Sequence, residues 1–140
     1  LEIEKRVLAN IPAKMKDSFI RTVGAGLKVM YSQQGIQNMR DQFKKPGEAS
    51  FNIGEGVAKL IGVLYTQSKQ TMPAAIAVPA AMFFMCEALD FFAKAGAIQL
   101  DNAMIDETTK ETGSAVLQLF GVTPNKLQNM MAQRSKAQGV

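Results

Sequence analysis

Apolar residues along this chain recur at three- and four-residue intervals and never alternate in twos over the length of a strand, so the pattern predicts helices throughout. Residues 2–9 (EIEKRVLA) place Ile3 and Val7 on one side of a short helix. Pro12 restarts the chain. A second helix is expected from about Ala13 to Gln33, with Met15, Phe19, Ile20, Val23, Leu27, Met30 and Tyr31 in one broad apolar arc. Gly35 is expected to break it, and Ile36, Met39 and Phe43 keep helical spacing up to Lys45. Pro46-Gly47 reads as a turn, and residues 46–52 (PGEASFN) as a linker. Asn52 then serves as the expected N-cap of a helix from Ile53 to Gln70, whose stripe is Ile53, Val57, Leu60, Ile61 and Leu64.

Residues 72–86 (MPAAIAVPAAMFFMC) are apolar, and the 17 residues between Lys69 and Glu87 carry no charge. A membrane span needs about 20 predominantly apolar residues. This run is short, holds two prolines and continues into Glu87 and Asp90, so a buried central helix over 74–95 is expected instead. Pro73 suits its first turn, Pro79 should kink it or delay its start, and Gly96 should stop it. Asp101 or Asp106 caps the next helix, which reads 106–120 (DETTKETGSAVLQLF) and stops at Gly121. Thr123-Pro124 opens a last helix carrying Leu127, Met130 and Met131. The expected fold is an all-α single domain over 1–131, a bundle of five to seven helices around a buried central one, followed by a polar tail at 132–140.

Composition agrees with a folded domain: 140 residues, 47% apolar and 20% charged, are enough to bury a core. The net charge of +4 is local, because residues 1–50 hold nine basic and five acidic groups while the remainder balances. Lys14, Arg21 and Lys28 recur every seven residues opposite the apolar arc. The plain reading is a solvated face. With Lys44, Lys45, Arg134 and Lys136, the sharper reading is contact with an acidic partner or nucleic acid, although no compact basic cluster marks a committed binder.

The chain has no His and one Cys, which rules out Ser/His/Asp and Cys/His nucleophilic sites and leaves no zinc-ligand set. No S-x-x-K motif and no Gly-rich phosphate loop is present. Glu87 and Asp90 lie near each other on one helix. A di-iron bundle needs Glu-x-x-His motifs, so these acids are expected to pair with Lys or Arg or to cap a neighbour. Cys86, within AAMFFMCEAL, is expected to be a buried small hydrophobe, and a lone thiol implies a reducing compartment. GVTPNKLQ at 121–128 is a helix-opening turn that can offer N–H groups to phosphate. No cofactor is expected. The chain opens on Leu1 without a signal-peptide pattern, so a trimmed or processed N-terminus is expected.

Two patterns speak for assembly. Gly54, Ala58 and Gly62 stand four residues apart beside an apolar stripe, a spacing that lets another helix backbone come close, within the chain or from another subunit. Gly62 is expected at such a crossing. Nine Met suit irregular cores and adaptable interfaces, with Met130 and Met131 as interface candidates.

Four segments, RVLANIP at 6–12, NIGEGVAKLIGVLYTQS at 52–68, PAAMFFMCEALDFF at 79–92 and VLQLFGVTPNKL at 116–127, resemble small helical proteins encoded in the virion-structure modules of tailed bacteriophages. The resemblance implies a non-enzymatic structural subunit of a capsid, neck or tail, or one packed near the portal. Its partners would be copies of itself or other proteins of a viral assembly, formed in the host cytoplasm and carried in the virion. No functional residue carries over position by position. The alternatives are a nucleic-acid-associated helical protein and a membrane-active one using residues 72–86.

Overall fold

A computed structural model describes residues 2–121. Among these the chain is all-α: α1 (Glu2–Asn10), a single 3-10 turn (Ala13–Met15), α2 (Lys16–Met30), α3 (Gln33–Phe43), α4 (Ala49–Gln67), α5 (Ala74–Lys94) and α6 (Asn102–Leu119). The expected last helix, with Thr123-Pro124, Met130 and Met131, and the tail at 132–140 lie outside the described residues.

α5 is the core helix, as its unbroken apolar run predicts. Ten of its residues are buried, including Ala77, Ala81, Phe84, Met85, Cys86 and Leu89 at 0% exposure. It is long and apolar enough to cross a membrane by length and composition, yet its neighbours α1, α2, α4 and α6 cover it. Pro79 neither delays the helix nor ends it. The ring removes the N–H that would bond the Ala75 carbonyl, and Ala75 is exposed, so water can take that carbonyl. Gly96 stops the helix with a left-handed φ of 74°, Ala97 N–H bonding Phe92 O at 2.9 Å and Gly96 N–H bonding Ala93 O at 3.0 Å. Asp101 rather than Asp106 caps α6, its Oδ1 accepting from Met104 N–H at 2.9 Å.

The expected single helix from Ala13 to Gln33 is divided. Its first turn is 3-10, and α2 ends at Met30. Ser32 starts α3, its Oγ accepting from Gly35 N–H at 2.9 Å. Gly35 is therefore not a break; it lies in the first turn of α3, pressed on the end of α2. A Cβ there would strike the Val29 carbonyl and come within 2.7 Å of Met30 O. Only glycine permits so tight a corner.

α4 likewise begins earlier than expected, at Ala49, which shortens the linker. Asn52 is not its N-cap. The side chain is 2% exposed and its Nδ2 donates to Lys45 O at 2.7 Å and Phe43 O at 3.4 Å. It closes the preceding helix, whose last carbonyls have no partner within that helix. α4 ends at Gln67, and Lys69 takes a left-handed φ of 58° where glycine is usual.

α4 and α6 run in the same direction: Gly54 meets Thr112, and further along both helices Tyr65 meets Phe120 edge-to-face at 5.7 Å.

Candidate functional site

α3 leans on α4 over the end of α5, and the three helices do not close completely. A cavity of about 360 Å³ remains between them. Its floor is Phe84, Ala88 and Phe92 of α5, all buried, and its walls include Met30, Met39, Phe43, Ile53, Val57 and Leu60. It reaches the surface at Asn38, Asp41, Lys45, Lys59 and Val63, which are exposed. The stacked pair Phe43–Phe92, with ring centroids 4.2 Å apart, closes one end.

The rim is polar and connected. Gln42, 9% exposed, donates from Nε2 to Asn52 O and to Glu55 Oε1, both at 3.2 Å. Its Oε1 accepts from Lys59 Nζ at 2.9 Å. Lys59 Nζ lies 3.4 Å and Lys45 Nζ 3.8 Å from the same Glu55 oxygen. Two ammonium groups thus share one carboxylate. Hydrogen bonds from Gln42 and then Lys59 hold the Glu55 carboxyl below its ordinary range. The mutual contact of Lys45 and Lys59 shifts the pair in opposite directions, Lys45 down and Lys59 up. Asp41, also on the rim, accepts from Gln37 Nε2 at 2.9 Å.

The residues that the sequence singles out scatter over the bundle. Gly54 and Ala58 are buried inside the chain, and a Cβ on Gly54 would lie 2.8 Å from Thr112 N and 2.9 Å from Glu111 C. The close crossing of the small-residue series is therefore at Gly54, with α6. The expected crossing at Gly62 is not made within the described chain: no described atom lies within 4 Å of a Cβ built there. The geometric reason is helical: at 3.6 residues per turn a four-residue spacing rotates by about 40° each time, so Gly62 points about 80° away from Gly54. Lys14, Arg21 and Lys28 are all exposed, Lys14 from the 3-10 turn and the other two from α2. Lys44 and Lys45 are exposed after α3, and only Lys45 joins the cavity rim.

Glu87 and Asp90 have separate partners. Asp90 pairs with Lys94 at 2.8 Å, one turn on. Glu87 accepts from Tyr31 Oη at 2.8 Å, which ties the end of α2 to α5. Partial burial and then this hydrogen bond push the Tyr31 hydroxyl above its ordinary value. Cys86 is fully buried, and burial pushes its thiol up to about 12.

Sequence reasoning missed the Gln42–Glu55–Lys59–Lys45 network. One signal for it existed: Gln42 interrupts the apolar side of α3 between Met39 and Phe43, where a polar residue needs a buried partner. No protein-family model matches the chain, and no match is found among curated proteins or solved structures.

Proposed function

We propose that this protein is a non-enzymatic assembly subunit, oligomeric and of the virion kind that its resemblance implies, with the outer face of α4 as one of its contacts. The observation that supports the reading is Gly62. Glycine inside a helix costs up to about 1 kcal/mol relative to alanine. Gly26, Gly35 and Gly54 each offset that cost through a close intramolecular neighbour; Gly62, like Gly24 and Gly113, does not. Beside it Val63 is 44% exposed, and Phe51 on the same helix is 48% exposed. An apolar, small-residue helix face suits another helix laid against it from a second subunit.

Native mass measurement and electron microscopy of the purified protein test this. Closed rings or shells are expected, and a strict monomer at all accessible concentrations would refute the reading. Gly62→Leu should abolish assembly while the subunit still melts as the parent does. A variant that assembles normally removes Gly62 from the interface.

Contact with nucleic acid is a second reading, supported by the exposure of Lys14, Arg21 and Lys28. Binding to duplex DNA in a salt series decides it, because phosphate contacts weaken steeply with salt. Undetectable binding at low salt removes it.

A further inference from the structure

We propose that the cavity between α3, α4 and α5 binds a single-chain anionic amphiphile, with the acyl chain inside and the anionic head between Lys45 and Lys59. The inference goes beyond the assembly reading and does not depend on it. Size is the first argument. At about 360 Å³ the cavity falls in the range of small-ligand pockets, roughly 300–1,000 Å³, and far exceeds the space of a packing defect. Lining is the second. The interior is built from aliphatic, Met and Phe side chains, and the polar atoms converge at the mouth. Such an interior gives water few hydrogen bonds, so an apolar chain is its fitting occupant.

Charge decides the head. Lys45 and Lys59 stand within 3.8 and 3.4 Å of one Glu55 oxygen, an oxygen that also accepts from Gln42. Two ammoniums and one Glu55 carboxylate leave this trio of described residues with a net positive charge. The two ammoniums crowd one carboxylate oxygen, at 3.8 and 3.4 Å. A carboxylate or phosphate placed between them would accept from both and relieve that crowding. Met30 and Met39 let the walls adapt to chain length. A free fatty acid and a lysophospholipid present the same chemistry to this site.

The probes are dodecanoate, dodecanol, dodecyltrimethylammonium and lysophosphatidylglycerol, each titrated below its micellar concentration into the whole protein by calorimetry. Saturable one-to-one binding of dodecanoate is expected, at least about tenfold tighter than that of the cationic analogue, the scale of one charge contact at 1.4 kcal/mol per decade. Lys45→Gln, an exposed position, should weaken dodecanoate by about tenfold and leave dodecanol unchanged. Met39→Trp, which fills the cavity from a half-buried wall, should weaken both chains; circular dichroism checks that it folds, and Lys45→Gln stands if it does not. Tighter binding of lysophosphatidylglycerol than of dodecanoate would identify a lipid headgroup as the source, and the reverse a free acid. Equal affinity for the anionic and cationic chains, an unchanged Lys45→Gln, or no binding below micellar concentrations would each overturn the proposal.

Discussion

The same substitution at two positions on α4 is expected to act in opposite directions. Gly54→Ala and Gly62→Ala both add one methyl group to a helix interior, and both gain up to about 1 kcal/mol of helix propensity. At Gly54 the new Cβ lies 2.8 Å from Thr112 N and 2.9 Å from Glu111 C. Carbon contacts settle at about 3.5–4.0 Å, so α6 must retreat by roughly half an ångström or more. The obstruction is backbone, which cannot swing aside as a flexible side chain can. The retreat loosens the seam that holds Val116, Thr112 and Ala58, all buried, and overpacking of this kind costs about 1–3 kcal/mol. At Gly62 no described atom lies within 4 Å, so only the propensity gain remains. The propensity term cancels between the two variants. Gly54→Ala should therefore be less stable than Gly62→Ala by about 1–3 kcal/mol. Urea unfolding by circular dichroism, with a common m value, measures the difference, at protein concentrations too low for assembly. If the two midpoints agree within about 0.5 kcal/mol, a typical error of such comparisons, α6 does not approach α4 at Gly54 and the packing described above is wrong.

Three further outcomes are expected. Thr112 is 0% exposed and its Oγ1 has no hydrogen-bond partner among the described residues, so Thr112→Val should stabilise the protein by about 1 kcal/mol in the same unfolding assay, and a loss would mean that the hydroxyl is bonded. Cys86, buried and with its thiol pushed up to about 12, should resist iodoacetamide at mildly alkaline pH until urea unfolds the chain; mass spectrometry showing rapid alkylation of the folded protein would contradict its burial. Tyr31 keeps its proton in the folded state to higher pH than in the unfolded chain, where it ionises near 10, so its contribution is complete below about pH 10 and is lost as pH rises further. Tyr31→Phe should flatten that alkaline decline in urea midpoints, and an identical pH slope in both proteins would show that the Glu87 hydrogen bond does not hold the proton.

Local signals in the sequence were the ones that could be read. The Gly96 stop and the span of α5 depend on residues within a few positions of each other and stand where the pattern puts them. The pattern leaves Asp101 and Asp106 open as caps, whereas α6 begins at Asn102, four residues before the expected 106. Gly35 and Asn52 read differently in the sequence because their roles depend on a second helix. Asn52 has the composition of an N-cap, and only the packed α3 behind it makes it a C-terminal plug. Gly54 and Gly62 are indistinguishable as sequence, since the same spacing serves both, and the angle at which α6 crosses decides between them. The cavity was not legible at all. It is a space left where three helices fail to meet, and no residue pattern encodes a space.

The way α3 is held has a consequence for motion. Gly35 and Gln42 are its only fully buried residues, one without a side chain and the other polar. Its other anchors include Met39, the Phe43 stack on Phe92, the Gln42 bonds to α4 and the Asn52 bonds to carbonyls at its end. α5, by contrast, has ten buried residues. Few buried apolar residues place a segment at the low end of a protein's opening free energies. α3 can therefore detach as a unit while α4, α5 and α6 stay assembled, and its amides should exchange with deuterium well before those of α5. The wall of the cavity is thus its fastest-breathing part, and whatever fills the cavity slows that breathing and rigidifies the corner where α2, α3 and α4 meet.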